Sequence, residues 1–250
     1  MRRTFVLLCV ALLAVPALGA AAGVKTEMVS FKGGNETVQG YLAVPESAGR
    51  HPALVVIHEW WGLNDWVKEQ ARKFAENGYV ALAVDLYRGK VATGPELAHE
   101  LSRGLPADRA IRDMKAAFDY LAARPDVNKD KIGSVGWCMG GGYSLALALN
   151  EPRLAACVIN YGRLVTDPAE IAKIHAPILG NFGAEDRGIT PDDVHAFEKA
   201  VKDAGKPIDV KIYPGAGHAF ENPNNKGGYR AEAAADAWQR MVDFFNKTLK

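Results

Sequence analysis

Apolar runs and helical stretches alternate along most of the chain. Six short runs are apolar enough for strands buried on both faces, and they cover residues 53–58, 80–84, 131–136, 156–161, 178–183 and 209–213. Helices are predicted between and after them, over residues 66–77, 95–103, 107–123, 140–149, 191–204 and 230–248. This alternation is typical of an α/β domain whose mostly parallel sheet is covered by helices on both faces.

The chain just before these runs has a different pattern. Residues 27–32 and 37–44 alternate apolar and polar side chains, and Gly33-Gly34-Asn35 joins them, which predicts an antiparallel hairpin. The sheet should therefore have about eight strands. The connection over residues 161–178 is too short for a large lid domain, and we place no domain boundary inside residues 23–250.

Residues 1–22 have the composition of a signal peptide. Arginines follow Met1, residues 5–13 are apolar, and small residues dominate from Leu18 to Gly23. We expect cleavage after Ala22 and an exported protein, periplasmic or secreted, with no stable membrane insertion afterwards. An uncleaved anchor is the alternative, but the apolar run is short for a hydrocarbon core of about 30 Å.

Composition and charge narrow the possible partners. The chain has 250 residues with 30 Lys+Arg against 29 Asp+Glu, and 48% of its residues are hydrophobic. Its net charge of +1 and its lack of charge blocks argue against nucleic acid as a partner. No metal-ligand cluster and no G-x-G-x-x-G fingerprint is present in the sequence, so we expect neither a metal nor a cofactor. We expect a monomer, with an oligomer left open.

One turn has the spacing of a nucleophile elbow. Gly136-Trp137-Cys138-Met139-Gly140 follows a predicted strand and opens a helix, which puts cysteine at the centre of a G-x-C-x-G pattern. Glycines two residues before and after a strained nucleophile let the strand and the helix approach closely. A helix N-terminus also favours a thiolate. The alternative is a glycine-rich turn that binds phosphate, with an incidental cysteine.

An acid and a histidine follow at the ends of later strands. Asp186 and His218 come in the chain order nucleophile, acid, histidine that α/β-hydrolases use. Glu185 competes for the acid position, but the G-x-x-D spacing favours Asp186. Taken singly, Asp186 could be a turn or N-cap residue and His218 a loop histidine. Cys157 lies in an apolar run and is expected to be a buried, inert thiol.

The loop after residues 53–58 should complete an oxyanion hole. The backbone amide of Trp60 is its natural donor from this loop, and the amide of Met139 is the donor from the elbow. Glu59 precedes Trp60 and would put negative charge near a thiol that must ionise. The alternative is a solvated loop glutamate.

These residues resemble the dienelactone hydrolase family of α/β-hydrolases, whose nucleophile is a cysteine. The similarity extends over nearly the whole of residues 23–250, with H-E-W-W-G-L-N at 58–64, D-L-Y at 85–87, G-W-C-M-G-G at 136–141, G-x-x-D at 183–186 and A-G-H-A-F at 216–220. The resemblance implies a triad of Cys138, Asp186 and His218, with Glu59 interacting with the resting thiol and helping to activate it. It also implies hydrolysis of a lactone or ester through an acyl-cysteine intermediate.

The resemblance has two departures. The best-known members hold the substrate carboxylate with two arginines, and the corresponding positions here are Gly89 and Asn222. Arg88 and Lys90 flank the first position, so one cationic contact could be kept by a small shift, whereas nothing near Asn222 replaces the second arginine. The substrate-binding residues are predicted to be Trp61, Tyr87, Arg88, Trp137 and Phe220.

Two other functions remain open from the sequence. The same triad could act as a thioesterase or an acyltransferase. A non-catalytic exported binding protein or a thiol-redox protein is the second, although the sequence has no C-x-x-C motif.

Overall fold

The computed structural model describes residues 23–250, so the predicted signal peptide lies outside the described residues. Eight strands form one sheet. They are β1 (Val24–Gly33), β2 (Glu36–Pro45), β3 (His51–Ile57), β4 (Val80–Val84), β5 (Val127–Trp137), β6 (Ala156–Asn160), β7 (Ile178–Gly183) and β8 (Ile208–Tyr213). The helices are α1 (Asp65–Glu76), α2 (Pro95–Arg103), α3 (Ala107–Ala122), α4 (Met139–Asn150), α5 (Pro168–Ala172), α6 (Pro191–Asp203) and α7 (Ala231–Leu249).

The sheet is mostly parallel, as the sequence pattern predicts. Its strand order is β1-β2-β4-β3-β5-β6-β7-β8, and every neighbouring pair from β4 to β8 is parallel. The antiparallel pairs are β1 with β2 and β2 with β4. Gly33 pairs with Glu36 across the hairpin turn, where Gly34 has a φ of 61° that favours glycine.

The helices agree with the prediction except for one short addition. α5 has five residues and lies in the connection between β6 and β7. Asp167 caps it by accepting hydrogen bonds from the amides of Ala169 and Glu170, and Pro168 occupies its first position. A helix this short has too few residues to show an apolar periodicity.

Alternation of side chains along the strands divides the core into two layers. Val55 and Ile57 of β3 face the layer that α3, α4 and α6 cover, whereas Leu54 and Val56 face α1 and α7. Since strands β3 to β8 are parallel, their carboxyl ends meet at one edge of the sheet, where α/β proteins place their ligands. Within residues 23–250, none of the helices combines the length and the apolar character that a membrane crossing requires.

Candidate active site

Cys138 lies at the tight turn between the end of β5 and the start of α4. Its backbone has φ 55° and ψ −119°, a conformation that costs a non-glycine residue of order 1–3 kcal/mol. Three backbone hydrogen bonds hold this conformation. The Cys138 amide donates to the carbonyl of Asn160 at 3.0 Å, and the amides of Gly141 and Gly142 donate to the Cys138 carbonyl. The side chain is partly exposed at the turn.

The two outer glycines of the turn are required by close backbone approach. A Cβ atom at Gly136 would overlap the carbonyl of Gly140, and a Cβ atom at Gly140 would overlap the carbonyl of Ile57 in β3. The turn therefore packs so closely against α4 and β3 that residues 136 and 140 have no space for a side chain. This contact is the physical reason for the G-x-C-x-G spacing.

Asp186 and His218 meet at the ends of β7 and β8. His218 Nδ1 and Asp186 Oδ2 are 2.7 Å apart, and the Asp186 side chain is almost fully buried. The other carboxylate oxygen accepts hydrogen bonds from the amides of Gly188 and Ile189 at 2.8 and 3.1 Å. Burial raises the pKa of Asp186, but these hydrogen bonds, led by that from His218, hold it below its usual value. Glu185 is exposed, so Asp186 is the acid that contacts the imidazole.

The environment of His218 favours its protonated form. Burial lowers the pKa of this imidazole, but the hydrogen bond with Asp186 and the interaction with the Cys138 side chain raise it to about 10. The ring of Tyr161 packs edge-on against it at a centroid distance of 5.3 Å. An imidazolium beside a cysteine is the arrangement that stabilises a thiolate.

Glu59 is buried beside the same cavity, so its interpretation as a solvated loop glutamate is wrong. It is 1% exposed, and the Asn222 side-chain amide donates a 2.6 Å hydrogen bond to its Oε2. Burial raises the pKa of Glu59 to about 7, against smaller opposing effects of Asn222 and His218. Asn222, at a position where the family resemblance implies an arginine, therefore donates its side-chain hydrogen bond to Glu59.

A buried histidine orients the loop that carries Glu59 and Trp60. His58 Nδ1 donates to the carbonyl of Glu59 at 2.5 Å, and its Nε2 accepts from the amide of Leu86 at 3.3 Å. Burial lowers the pKa of His58, which keeps this ring neutral and its tautomer defined. Within residues 23–250, the amides of Trp60 and Met139 form no backbone or side-chain hydrogen bond. Both amides are therefore available to a ligand.

A cavity of about 660 Å³ opens over these groups. Its lining residues include Glu59, Trp60, Trp61, Asn64, Val91, Ala92, Cys138, His218, Ala219, Asn222, Asn224, Asn225 and Lys226. The lining combines aromatic and aliphatic side chains with several amide side chains and one lysine. Lys226 was not predicted from the sequence, where the N-P-N-N-K-G-G segment after His218 was its only signal.

Four residues predicted to bind substrate do not line this cavity. Trp137 and Phe220 are fully buried, and Tyr87 is nearly so. The Tyr87 hydroxyl donates to the sulfur of Met139 at 3.3 Å and so contacts the residue that follows the nucleophile. The Arg88 guanidinium is bound to Glu36 at 2.8 Å and to Asp113 at 2.7 Å, away from the cavity. Trp61 is the member of this predicted set that reaches the cavity.

The described part of the chain contains no cluster of three or more His, Cys, Asp or Glu side chains that could hold a metal ion. The groups placed together for chemistry are Cys138, His218, Asp186 and Glu59. They comprise a thiol, a base oriented by a carboxylate, and a second carboxyl that titrates near neutral pH. This arrangement suits nucleophilic attack by sulfur on an electrophilic carbon.

Comparison with known proteins places this geometry in a family. A sequence profile described as "Dienelactone hydrolase family" matches residues 38–249. A Methylorubrum extorquens protein named "Putative carboxymethylenebutenolidase" is 33% identical over 224 residues, covering 84% of this chain and 77% of that protein. Protein usf of Aquifex pyrophilus is 34% identical, with 89% and 99% covered.

Solved structures have the same fold. The crystal structure of a Klebsiella pneumoniae protein named "Putative Dienelactone Hydrolase" superposes with a TM-score of 0.82 at 29% identity, covering 90% of this chain and 99% of the other. The dienelactone hydrolase-like promiscuous phosphotriesterase P91, from metagenomic libraries, gives a TM-score of 0.84 at 26% identity, with 91% and 99% covered. Residues 23–250 thus have the predicted α/β-hydrolase fold, with no large lid domain among them.

Proposed function

Because the chain belongs to the dienelactone hydrolase family, we propose that it hydrolyses a small lactone or carboxylic ester through an acyl-cysteine intermediate. The observation that carries the proposal is the strained Cys138 beside an imidazole that Asp186 holds at 2.7 Å. This is the constellation of nucleophile, base and orienting acid that acyl transfer requires.

The first half of the reaction forms the acyl-enzyme. The Cys138 sulfur attacks the substrate carbonyl carbon, and the amides of Met139 and Trp60 stabilise the resulting oxyanion. When the tetrahedral intermediate collapses, the carbon–oxygen bond breaks and His218 donates its proton to the departing oxygen. The acyl group is then a thioester on Cys138, and the alcohol is free; in a lactone, this alcohol remains attached to the acyl chain.

The second half releases the acid. His218, now neutral, takes a proton from water as the water oxygen attacks the thioester carbonyl. The bond between carbon and sulfur breaks, the carboxylic acid leaves, and Cys138 and His218 regain their starting charges. Asp186 keeps the imidazole oriented through both halves and stabilises its charged form.

Glu59 is proposed to accept the proton of the resting Cys138 thiol and to return it. Its pKa of about 7 makes it both a usable acceptor and a usable donor at neutral pH. A permanently ionised carboxylate at this place would oppose the thiolate, whereas a carboxyl that exchanges its proton does not. The hydrogen bond from Asn222 holds the glutamate in place without a formal positive charge.

The cavity supports a small substrate. Its volume of about 660 Å³ lies within the range of small-molecule sites, and Lys226 adds a cation to the lining. With Asn222 engaged by Glu59 and Arg88 by Asp113, the substrate contacts differ from those of the best-known family members. We further propose that the protein acts after export, because residues 1–22 have the composition of a signal peptide.

A panel of small lactones and short-chain esters tests the proposed function. Wild type should hydrolyse at least one of them, Cys138→Ala should lose at least about 10³-fold in kcat/KM, and Cys157→Ala should resemble wild type. Rapid-quench mass spectrometry should show an acyl adduct on the peptide that contains Cys138. Full activity of Cys138→Ala would refute the acyl-cysteine mechanism. Preferential transfer of the acyl group to an added thiol or alcohol would instead favour an acyltransferase.

A further inference from the structure

A second buried carboxyl lies behind the nucleophile turn and has no part in the reaction described above. Glu221 follows His218 by three residues, in the loop after β8, and is 8% exposed. Its Oε2 accepts a 2.9 Å hydrogen bond from the Trp137 indole nitrogen. Its Oε1 is buried and has no hydrogen-bond partner within residues 23–250. A carboxylate in this environment is costly, whereas a carboxylic acid is much less so.

The indole contact connects the histidine loop to the nucleophile turn. Trp137 is fully buried and directly precedes Cys138, whose φ of 55° persists only if its neighbours hold it. Trp66 of α1 packs against the Trp137 ring at a centroid distance of 5.2 Å. Trp137 is therefore fixed by an edge-to-face contact with Trp66 and by the hydrogen bond from its indole nitrogen to Glu221. Glu221 needs only an oxygen acceptor to make this contact, and the acid form supplies one.

The titratable groups around Glu221 disfavour its negative charge on balance. They are Glu59 from the loop after β3, Tyr161 after β6 and Tyr213 of β8. Lys73 and Glu69 of α1 and Tyr229 ahead of α7 line one cavity together with Glu221, and Lys73 is the cation of the set. Burial is the largest effect, the negative charge of Glu59 adds to it, and together they raise the pKa of Glu221 to about 8 despite the Trp137 bond and Lys73.

The buried hydroxyl of Tyr161 is affected by the charges of several groups in this region. The Tyr161 Oη is buried without a hydrogen-bond partner within residues 23–250, and its pKa is raised by burial and by the charges of Glu221, Glu59 and Cys138. Negative charge on any of these three groups therefore acts on the same hydroxyl. Ionisation of Glu221 would add a second negative charge to a poorly solvated region that must already accommodate a thiolate.

We propose that Glu221 is a positioning residue for the nucleophile turn that acts in its un-ionised form, accepting a hydrogen bond from the Trp137 indole N–H while keeping negative charge away from Cys138. This inference rests on the proposed role of Cys138 as the nucleophile. It assigns a function to a carboxyl that is not among the residues lining the cavity over Cys138 and whose side-chain hydrogen bond goes to Trp137. Its consequence is a loss of Cys138 reactivity at alkaline pH that comes from Glu221.

The indole signal of Trp137 provides a test that needs no substrate. In ¹H–¹⁵N spectra of wild type, with the signal assigned through Trp137→Phe, the Nε1–H resonance should shift with a midpoint near pH 8. Glu221→Gln keeps an oxygen acceptor but cannot ionise, so this titration should disappear. Glu185→Gln removes an exposed carboxyl of the neighbouring loop and should leave the titration intact. A Trp137 resonance that does not titrate in wild type would overturn the proposal.

The reactivity of Cys138 provides the second measurement. Alkylation by iodoacetamide is followed by peptide mapping, and the Glu221→Gln rate constant is divided by that of wild type at each pH. This ratio should rise at least about threefold from about pH 6.5 to about pH 9, whereas the Glu185→Gln ratio should stay flat. A flat ratio for Glu221→Gln would also overturn the proposal. Failure of the hydrolase proposal would instead appear as absent ester turnover, which neither measurement uses.

Discussion

Replacement of Glu59 by glutamine should stabilise the folded protein in a pH-dependent way. The carboxyl is 1% exposed and accepts a hydrogen bond from Asn222, and glutamine keeps an oxygen for that bond. Burial raises the pKa of Glu59 from 4.5 to about 7. Because a pKa difference of one corresponds to about 1.4 kcal/mol, the ionised carboxylate costs the folded state about 3 kcal/mol. Glutamine removes that cost.

The direction in which the free energy of unfolding changes with pH follows from proton binding in the two states. Below about pH 4.5 the folded and unfolded chains both hold the proton, so Glu59 contributes no penalty. Between about pH 4.5 and 7 the unfolded chain releases it while the folded chain retains it, and the free energy of unfolding falls as pH rises. Above about pH 7 both forms are ionised, and the full penalty of about 3 kcal/mol remains.

Urea unfolding of wild type and Glu59→Gln across this range measures the effect. The stability difference should grow by about 3 kcal/mol in favour of the variant, or about 1 M in urea midpoint, between about pH 4.5 and 8. Glu185→Gln, at an exposed position, should show no such growth. Glu59→Gln should also lose at least about tenfold in kcat/KM. A stability difference that is independent of pH would refute the argument from burial.

Three further predictions concern the cysteines, the histidine and the N-terminus. Limiting iodoacetamide should alkylate Cys138 far faster than Cys157, since Cys157 is inaccessible and burial raises the pKa of its thiol to about 11; equal labelling on peptide maps would contradict the assignment of the elbow. Asp186→Asn should lower the pKa of His218 from about 10 to 6.5 or below, because burial disfavours the imidazolium and the carboxylate that stabilises it is removed. An unchanged His218 titration by NMR would contradict this. Exported protein should begin near Gly23 by intact mass, and a retained leader would contradict that cleavage site.

Most of the fold could be predicted from local sequence. The apolar runs, the alternating hairpin and the helical stretches lie within a few residues of the observed elements, because each has a periodicity that its own residues define. The short helix α5 was not predicted, since its single turn depends on the Asp167 cap and on Pro168.

The nucleophile could be predicted because the backbone dictates the residue types beside it. Gly136 and Gly140 are glycines because the strands and the helix touch there, and that requirement identifies Cys138 without any knowledge of its neighbours. Chain order then indicates Asp186 and His218. The roles of side chains that approach from other parts of the chain had no comparable signal.

The sequence by itself determined the α/β architecture and the identity of the strained turn, since both depend on spacing along the chain. Tertiary structure decided which polar groups lose water. It buried Glu59 against Asn222, 163 residues away, and Glu221 against Trp137, 84 residues away. It also directed Arg88 to Asp113 and placed Lys226 at the cavity. The orientation and pKa of a loop side chain depend on long-range packing and solvent exclusion, which no local pattern encodes.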